Sequence, residues 1–317
     1  MHLTSTGRLA MRIVQMKTLI VSFSVLQVLC AWGMAQDSVG ADHVQPESAP
    51  SPAPVVGEER QMAAAGDMGG GDCSEVASSS ISAAYQGEAD AQFFWGLCYT
   101  TGLGVQKNAQ EAIKWYRMAA EQGHAEAQDM LGLCYYHGEG VTENKQEAVK
   151  WFRLAAEQGV AKAQYGLGLC YAEGQGVLQN EQEAVTWFKL AAEQGDVKAQ
   201  SALGLCYCKG RGVAVNEQEA ARWWKLAAEQ GHAQSQCNLA LSYAEGRGVA
   251  KDEQEAARWY KLAASQGLAM AQLNLGLLYL EGRGVEENQE EGLRLLRQAA
   301  DNGDKKAVDI LEKIQSN

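Results

Sequence analysis

The 317-residue sequence predicts an all-α solenoid of stacked helix pairs. Three observations predict it. The dipeptide Ala-Gln recurs at Ala91-Gln92, Ala127-Gln128, Ala163-Gln164, Ala199-Gln200 and Ala271-Gln272, with Ser235-Gln236 between, at a constant period of 36. A cap-like pair, Asn or Asp followed three residues later by Glu, keeps the same period, and so does a glycine closing each pair of helices. The four prolines, Pro46, Pro50, Pro52 and Pro54, all precede the periodic region, so none breaks a helix within it.

Residues 1–35 read as a signal peptide. Arg8, Arg12 and Lys17 precede the uncharged run TLIVSFSVLQVLCAWGMA, residues 18–35, and the small Gly33 and Ala35 suit cleavage after Ala35. Met16-Lys17 would begin a more compact leader. The rival reading is an uncleaved anchor, because the run nearly reaches the ~20 residues that span a bilayer. Cys30 follows the bulky Leu29, unlike lipidation signals, which have a small residue there.

Residues 36–72 carry the prolines, Gly69-Gly70-Gly71 and few large apolar side chains, and so read as a disordered acidic linker. A flexible chain of that length has a root-mean-square span of about 35 Å. Residues 73–90 are expected to be an N-terminal capping half-repeat, with Ala83-Ala84-Tyr85-Gln86-Gly87 echoing the end of a unit. Six full units fill residues 91–306, and residues 307–317 read as a C-terminal capping helix.

Each unit reads as two helices. In the first, Ala91, Trp95, Gly96 and Tyr99 share one helical face, and Gly102 and Gly104 end that helix. Asn108 and Glu111 then form a capping-box pair, in which each side chain is expected to satisfy a backbone N–H of the other. The pair returns as Asn144/Glu147, Asn180/Glu183, Asn216/Glu219, Asp252/Glu255 and Asn288/Glu291. Gly96, Gly132, Gly168, Gly204, Ala240 and Gly276 share one mid-helix position, where the expected reason is close approach of the Ala119-Ala120 pair and its counterparts. Trp115, Trp151, Trp187, Trp223 and Trp259 are expected to form the core between stacked units.

Charge and chemistry narrow the function. There are 27 Lys and Arg against 39 Asp and Glu, a balance that argues against nucleic acid, whose phosphates need a basic face. Residues 1–35 carry +3, residues 36–90 −9 and residues 91–317 −6, so the periodic body is only mildly acidic. His43, His124, His137 and His232 offer no metal-ligand spacing within a helix. Each unit has Gly-x-Gly but lacks the Lys-Ser/Thr of a phosphate loop. No cofactor is expected. Without Cys30, seven cysteines remain: Cys73, Cys98, Cys134, Cys170, Cys206, Cys208 and Cys237. Stacked helices lie about 8–10 Å apart, beyond the ~7 Å reach of a disulfide. Cys98, Cys134, Cys170 and Cys206 therefore read as small buried hydrophobes, with a metal array as the alternative.

The string LGLCYYHGEGVTENKQEAVKWFRLAAEQG and its relatives strongly resemble Sel1-like repeats, relatives of the tetratricopeptide repeat with a longer Gly-x-Gly-Val loop. The resemblance covers residues 91–306. It implies a right-handed α-solenoid whose first helices line a concave face, working as a non-enzymatic scaffold for a protein or peptide partner. Tetratricopeptide geometry places the third, seventh, tenth and eleventh residues of each unit on that face. The seventh is always Leu, whereas the others vary, as recognition positions do; the alternative is drift on a solvated face. The candidate partner-binding residues are Phe93, Thr101, Asp129, Tyr136, His137, Tyr165, Glu173, Lys209, Glu245 and Glu281.

The expected protein is exported, periplasmic or extracellular, and touches membrane only if the leader is retained. The alternative implied by the resemblance is a glycan-binding or weakly β-lactamase-like member of a cysteine-rich branch. Helix two here has no cysteine, so that branch's disulfide pattern does not carry over. The Ser-x-x-Lys of a serine acylase is absent, Thr186-Trp187-Phe188-Lys189 being the nearest string.

Overall fold

A computed structural model describes residues 80–315, with the side chains of 80–314. The expected leader, linker and Cys73 lie outside the described residues. After a helical segment at residues 80–85 come α1 (Ala89–Thr101), α2 (Ala109–Glu121), α3 (Ala125–His137), α4 (Lys145–Glu157), α5 (Ala161–Glu173) and α6 (Glu181–Glu193). The series continues with α7 (Val197–Lys209), α8 (Glu217–Glu229), α9 (Ala233–Glu245), α10 (Glu253–Ser265), α11 (Ala269–Glu281), α12 (Gln289–Asp301) and α13 (Lys305–Gln315). No strand occurs among the described residues. Among the described residues, 80–96 and 109–315 group as one unit of the structure, and residues 97–108 belong to another. Within the larger, each helix packs on the next in sequence, so the helix pairs form an α-solenoid.

The caps begin the second helices, but only half of the expected box forms. The Asn144 side chain accepts from the Glu147 N–H at 3.0 Å, and Asn180, Asn216, Asp252 and Asn288 do likewise for Glu183, Glu219, Glu255 and Glu291. The reciprocal bond is replaced. The Asn144 N–H donates instead to the Tyr135 carbonyl at 2.9 Å, because the loop folds back onto the preceding helix. Glu147 is left to take Lys150 at 2.7 Å. Asn180→Ala should lower stability by about 1 kcal/mol in chemical unfolding. An unchanged midpoint would mean that α6 needs no side-chain cap.

The second helices end in paired backbone bonds around a glycine. Gly159, at φ +90°, donates to Ala156 at 3.0 Å, and Val160 donates to Ala155 at 3.1 Å. These satisfy carbonyls left orphaned at the end of α4.

Packing corrects the expected role of the small mid-helix residue. A Cβ added to Gly132 would lie 2.6 Å from the Phe152 ring, one on Gly168 2.6 Å from Phe188, and one on Gly204 2.5 Å from Trp224. The glycine makes room for the aromatic residue of helix two, not for its Ala-Ala pair. The reason is size: at these three glycines the ring lies where a methyl group would be, whereas the fifth unit keeps the methyl of Ala240 at this place. The tryptophan row also divides. Trp115, Trp223 and Trp259 are buried, whereas Trp151 and Trp187 are half-buried. Arg222 and Arg258 cover the outer faces of Trp223 and Trp259, at 4.8 and 4.6 Å from the ring centres.

The recurring glutamine joins successive pairs. Gln164, at the start of α5, is buried; its Nε2 donates to the Ala156 carbonyl of α4 at 3.1 Å. Its Oε1 accepts from Gln194, at the end of α6, at 2.8 Å. Gln128, Gln200, Gln236 and Gln272 repeat this bridge, with Asn302 as the last donor. A buried amide keeps both ends satisfied only in this register, so the ladder holds the stacking as well as marking it.

Candidate protein-binding surface

With rings and alanines turned inward, each first helix leaves a narrow stripe uncovered. In α3 it runs through Glu126, Met130, Leu133 and His137, spaced 4, 3 and 4 residues apart, within about 40° of one line on the helix. The matching sets are Lys162, Gly166, Leu169 and Glu173 in α5, and Lys198, Ala202, Leu205 and Lys209 in α7. Gln234, Asn238, Leu241 and Glu245 follow in α9, then Met270, Asn274, Leu277 and Glu281 in α11. Every one of these residues is exposed or half-buried. A constant leucine sits in the middle, and the flanking chemistry changes from unit to unit.

The residues expected at the third position lie off this stripe. Phe93 is half-buried, 5.9 Å from the Tyr116 ring and 4.6 Å from the His124 ring. Tyr165 is half-buried against Phe188 at 5.7 Å, and burial pushes its phenol up to about 12. Asp129 is only 5% exposed. A third-position side chain points about 60° away from the stripe, toward helix two.

The tenth position is an inter-unit contact. The Tyr136 hydroxyl donates to Gln175 of the next loop at 2.7 Å, and the Lys145 ammonium lies 3.7 Å from its ring centre. Burial, then the charges of neighbours including Glu173, raises the Tyr136 phenol to about 12.

The eleventh position is the outermost. His137, Glu173, Lys209, Glu245 and Glu281 are exposed. His137 lies 5.0 Å from the Tyr136 ring, and burial, assisted by Lys145, lowers its pKa. Glu173 accepts from Gln175 at 2.9 Å, Glu245 pairs with Arg247, and Glu281 pairs with Arg283 at 3.0 Å. Thr101, taken with its own segment, is half-buried and donates to the Leu97 carbonyl at 2.8 Å. Tyr136, His137, Tyr165 and Glu173 thus gather at neighbouring units, while Asp129 belongs to the interior. Sequence reasoning missed the two stripe positions represented by Glu126 and Met130. The 4-3-4 spacing around the constant leucine was the signal that could have found them.

Residues 89–124, 125–160, 161–196, 197–232, 233–268 and 269–304 each match the Sel1 repeat, a frame that opens two residues before the Ala-Gln marker. The chain belongs to the Sel1 repeat family. A solved structure of c5321, a protective antigen of uropathogenic Escherichia coli, is 38% identical with a TM-score of 0.70, covering 73% of this chain and 49% of that one. This chain therefore spans about half the length of that antigen. A Sel1 repeat protein from Oxalobacter formigenes is 41% identical with a TM-score of 0.61, covering 68% of this chain and 86% of that one. No curated protein matches the sequence. Sel1 repeats commonly mediate contacts between proteins, and their scaffolds are generally non-enzymatic.

Among the described residues of this Sel1 repeat protein, no helix is long and apolar enough to cross a membrane. No cluster of three His, Cys, Asp or Glu that could hold a metal ion occurs among them either. Cys98, Cys134 and Cys170 are buried free thiols pushed up to about 12 by desolvation. Cys206 departs from the expected row, being only half-buried.

Asp129 is the interior's conspicuous titrating group. One of its oxygens is buried without a hydrogen-bond partner. Desolvation raises its pKa to about 7, with Lys162 lowering it and Glu126 and Asp196 raising it. The unfolded carboxyl titrates near 4, so the folded chain binds the extra proton. Its stabilising contribution is full below pH 4 and lost as the pH rises toward 7. Relative to Asp129→Asn, the natural chain should lose roughly 4 kcal/mol between pH 4 and 7.5. Parallel pH profiles of unfolding for the two chains would show that Asp129 is ionised and solvated throughout.

Proposed function

We propose that this Sel1 repeat protein is an exported scaffold that holds a protein or peptide partner along the stripe left open on its first helices. The observation carrying the reading is the division of labour within each unit. Ring, alanine, glutamine and cap positions recur because packing needs them, whereas Glu126, Lys162, Lys198, Gln234 and Met270 put four kinds of side chain at one uncovered position. The constant leucines Leu133, Leu169, Leu205, Leu241 and Leu277 offer apolar contact, and the changing flanks supply selectivity. Export rests on residues 1–35, and the mature N-terminus should be Gln36 by intact mass.

The test uses the full chain, immobilised, with the host's envelope fraction as the source of partners. Leu205→Glu with Lys209→Glu should weaken capture at least tenfold, with the helical circular dichroism unchanged. Lys150→Glu with Lys189→Glu, on the second helices, should leave capture intact. Equal loss from both pairs, or from neither, would take the partner off the stripe.

A further inference from the structure

The charges of the exposed stripe are partnered unequally. Its acids have donors beside them: Glu126 lies 3.4 Å from a His124 ring nitrogen, Glu173 accepts from Gln175 at 2.9 Å, Glu245 pairs with Arg247, and Glu281 pairs with Arg283 at 3.0 Å. Its lysines have no such neighbour. Lys162 in α5, and Lys198 and Lys209 in α7, are exposed, with no carboxylate within 4.0 Å among the described residues. The acids behind them face inward: Asp196 accepts from the Ala199 N–H at 2.8 Å as the cap of α7, and Asp129 is 5% exposed. In a chain of net charge −12, the third and fourth units thus present unanswered positive charge on the stripe. Such a surface attracts an acidic partner and rejects a basic one.

Spacing adds a second constraint. Lys162 and Lys198 hold one place in successive units, which advance by about one helix spacing, 8–10 Å. Side chains on one edge of a β-strand recur every ~7 Å, which does not match that step. In a polyproline II segment, residues three apart share an edge and lie about 9 Å apart, which does. The ground between the lysines and the leucines is low. Gly166 and Ala202 occupy it, and a Cβ on Gly166 would come no nearer than 3.5 Å to the Phe152 ring, so the interior does not demand glycine there. A main chain can lie along this row, with Lys162 and Lys198 on one side and Leu169 and Leu205 on the other. The row continues to Asn238, whose side-chain oxygen accepts from Gln234 at 3.1 Å. Its amide N–H groups are left to meet the carbonyls of a polyproline II backbone, which makes no hydrogen bonds of its own.

We propose that the third and fourth units take an acidic segment of the partner in polyproline II form, its carboxylates three residues apart on Lys162 and Lys198 and an apolar residue between them on Leu169 and Leu205. That the segment belongs to the partner rests on the reading of the stripe as the recognition surface; the preference for an acidic peptide of that spacing does not.

The labelled full chain is applied at low salt to an array of twelve-residue peptides in a Pro, Ala and Val background, each carrying two Glu residues set two, three, four or seven apart. Spacing three should be retained at least tenfold better than two or four, and Gln in place of Glu should abolish retention. Lys162→Glu with Lys198→Glu should lose the Glu peptide and retain one with two Lys residues three apart, a reversal that misfolding does not produce. Retention indifferent to spacing, or unchanged by the two substitutions, would overturn the acidic site. Preference for seven would overturn the extended form in favour of a helix. Carbodiimide cross-links in the full chain from Lys162 or Lys198 to acids of residues 36–75 would give the lysines to the chain's own N-terminal segment and overturn the partner's. No selection on the array, while capture still falls with Leu205→Glu and Lys209→Glu, would overturn the acidic segment and leave the stripe standing. Selection intact, with capture indifferent to Leu205→Glu and Lys209→Glu, would remove the stripe reading alone.

Discussion

Phe152→Ala should destabilise the chain by about 3–5 kcal/mol, the range for removing a buried aromatic ring. The ring is 2% exposed. It lies across Gly132, where even a Cβ would come within 2.6 Å, and beside Gly166, where a Cβ would come within 3.5 Å. Neither glycine has a side chain that could collapse into the vacated space, which puts the loss toward the upper end. Tyr136, 6.2 Å away, would lose a neighbour as well. Because each unit contacts chiefly the next, the unfolding of the second and third units should separate from that of the rest. Chemical unfolding with hydrogen exchange resolved by unit measures both effects. A loss below about 1 kcal/mol would show that the tryptophan row, and not this ring, forms the core.

Gly176→Ala should cost roughly 3 kcal/mol or more, and Gly195→Ala about 1–2 kcal/mol, although both glycines have positive φ. The conformational penalty is shared: φ is +72° at Gly176 and +90° at Gly195. The surroundings differ. A Cβ on Gly195 would meet nothing within 4 Å, whereas one on Gly176 would run into the Lys145 carbonyl and lie 2.8 Å from the Gln146 nitrogen. Those atoms belong to the first turn of α4, whose backbone cannot rotate aside as a flexible side chain can. The second glycine of the Gly-x-Gly loop is therefore a contact between successive units as well as a turn. Thermal unfolding of the two variants side by side gives the comparison, and equal losses would mean the loop yields without disturbing α4.

Helix pairs, their caps and their stops could be read from the chain because each depends on residues a few positions apart. Asn180 finds the Glu183 N–H, and Gly159 finds Ala156, within one turn. The period of 36 multiplied those local signals until the stacked architecture had no competitor. Phe93 and Tyr165 were harder to place. On a helical wheel they stand only about 60° from the exposed stripe, a difference that hydrophobic spacing alone does not resolve. Asp129 was placed by the same third position, taken from tetratricopeptide geometry, and here that position faces the interior.

The sequence alone determined that each unit makes two helices, where the second helices begin and end, and that successive pairs must stack to bury their apolar faces; the first helices begin two residues before the Ala-Gln marker, and the last spans Lys305–Gln315. Tertiary structure decided what each face meets. It set the glycines against rings rather than alanines, turned the recurring glutamine into a bridge between units, and seated Tyr136 in a neighbour's loop. Caps and turns are closed by bonds within a few residues, so composition and spacing specify them. Contacts between units depend on the angle at which two helices cross, and that angle follows from the side-chain volumes on both at once.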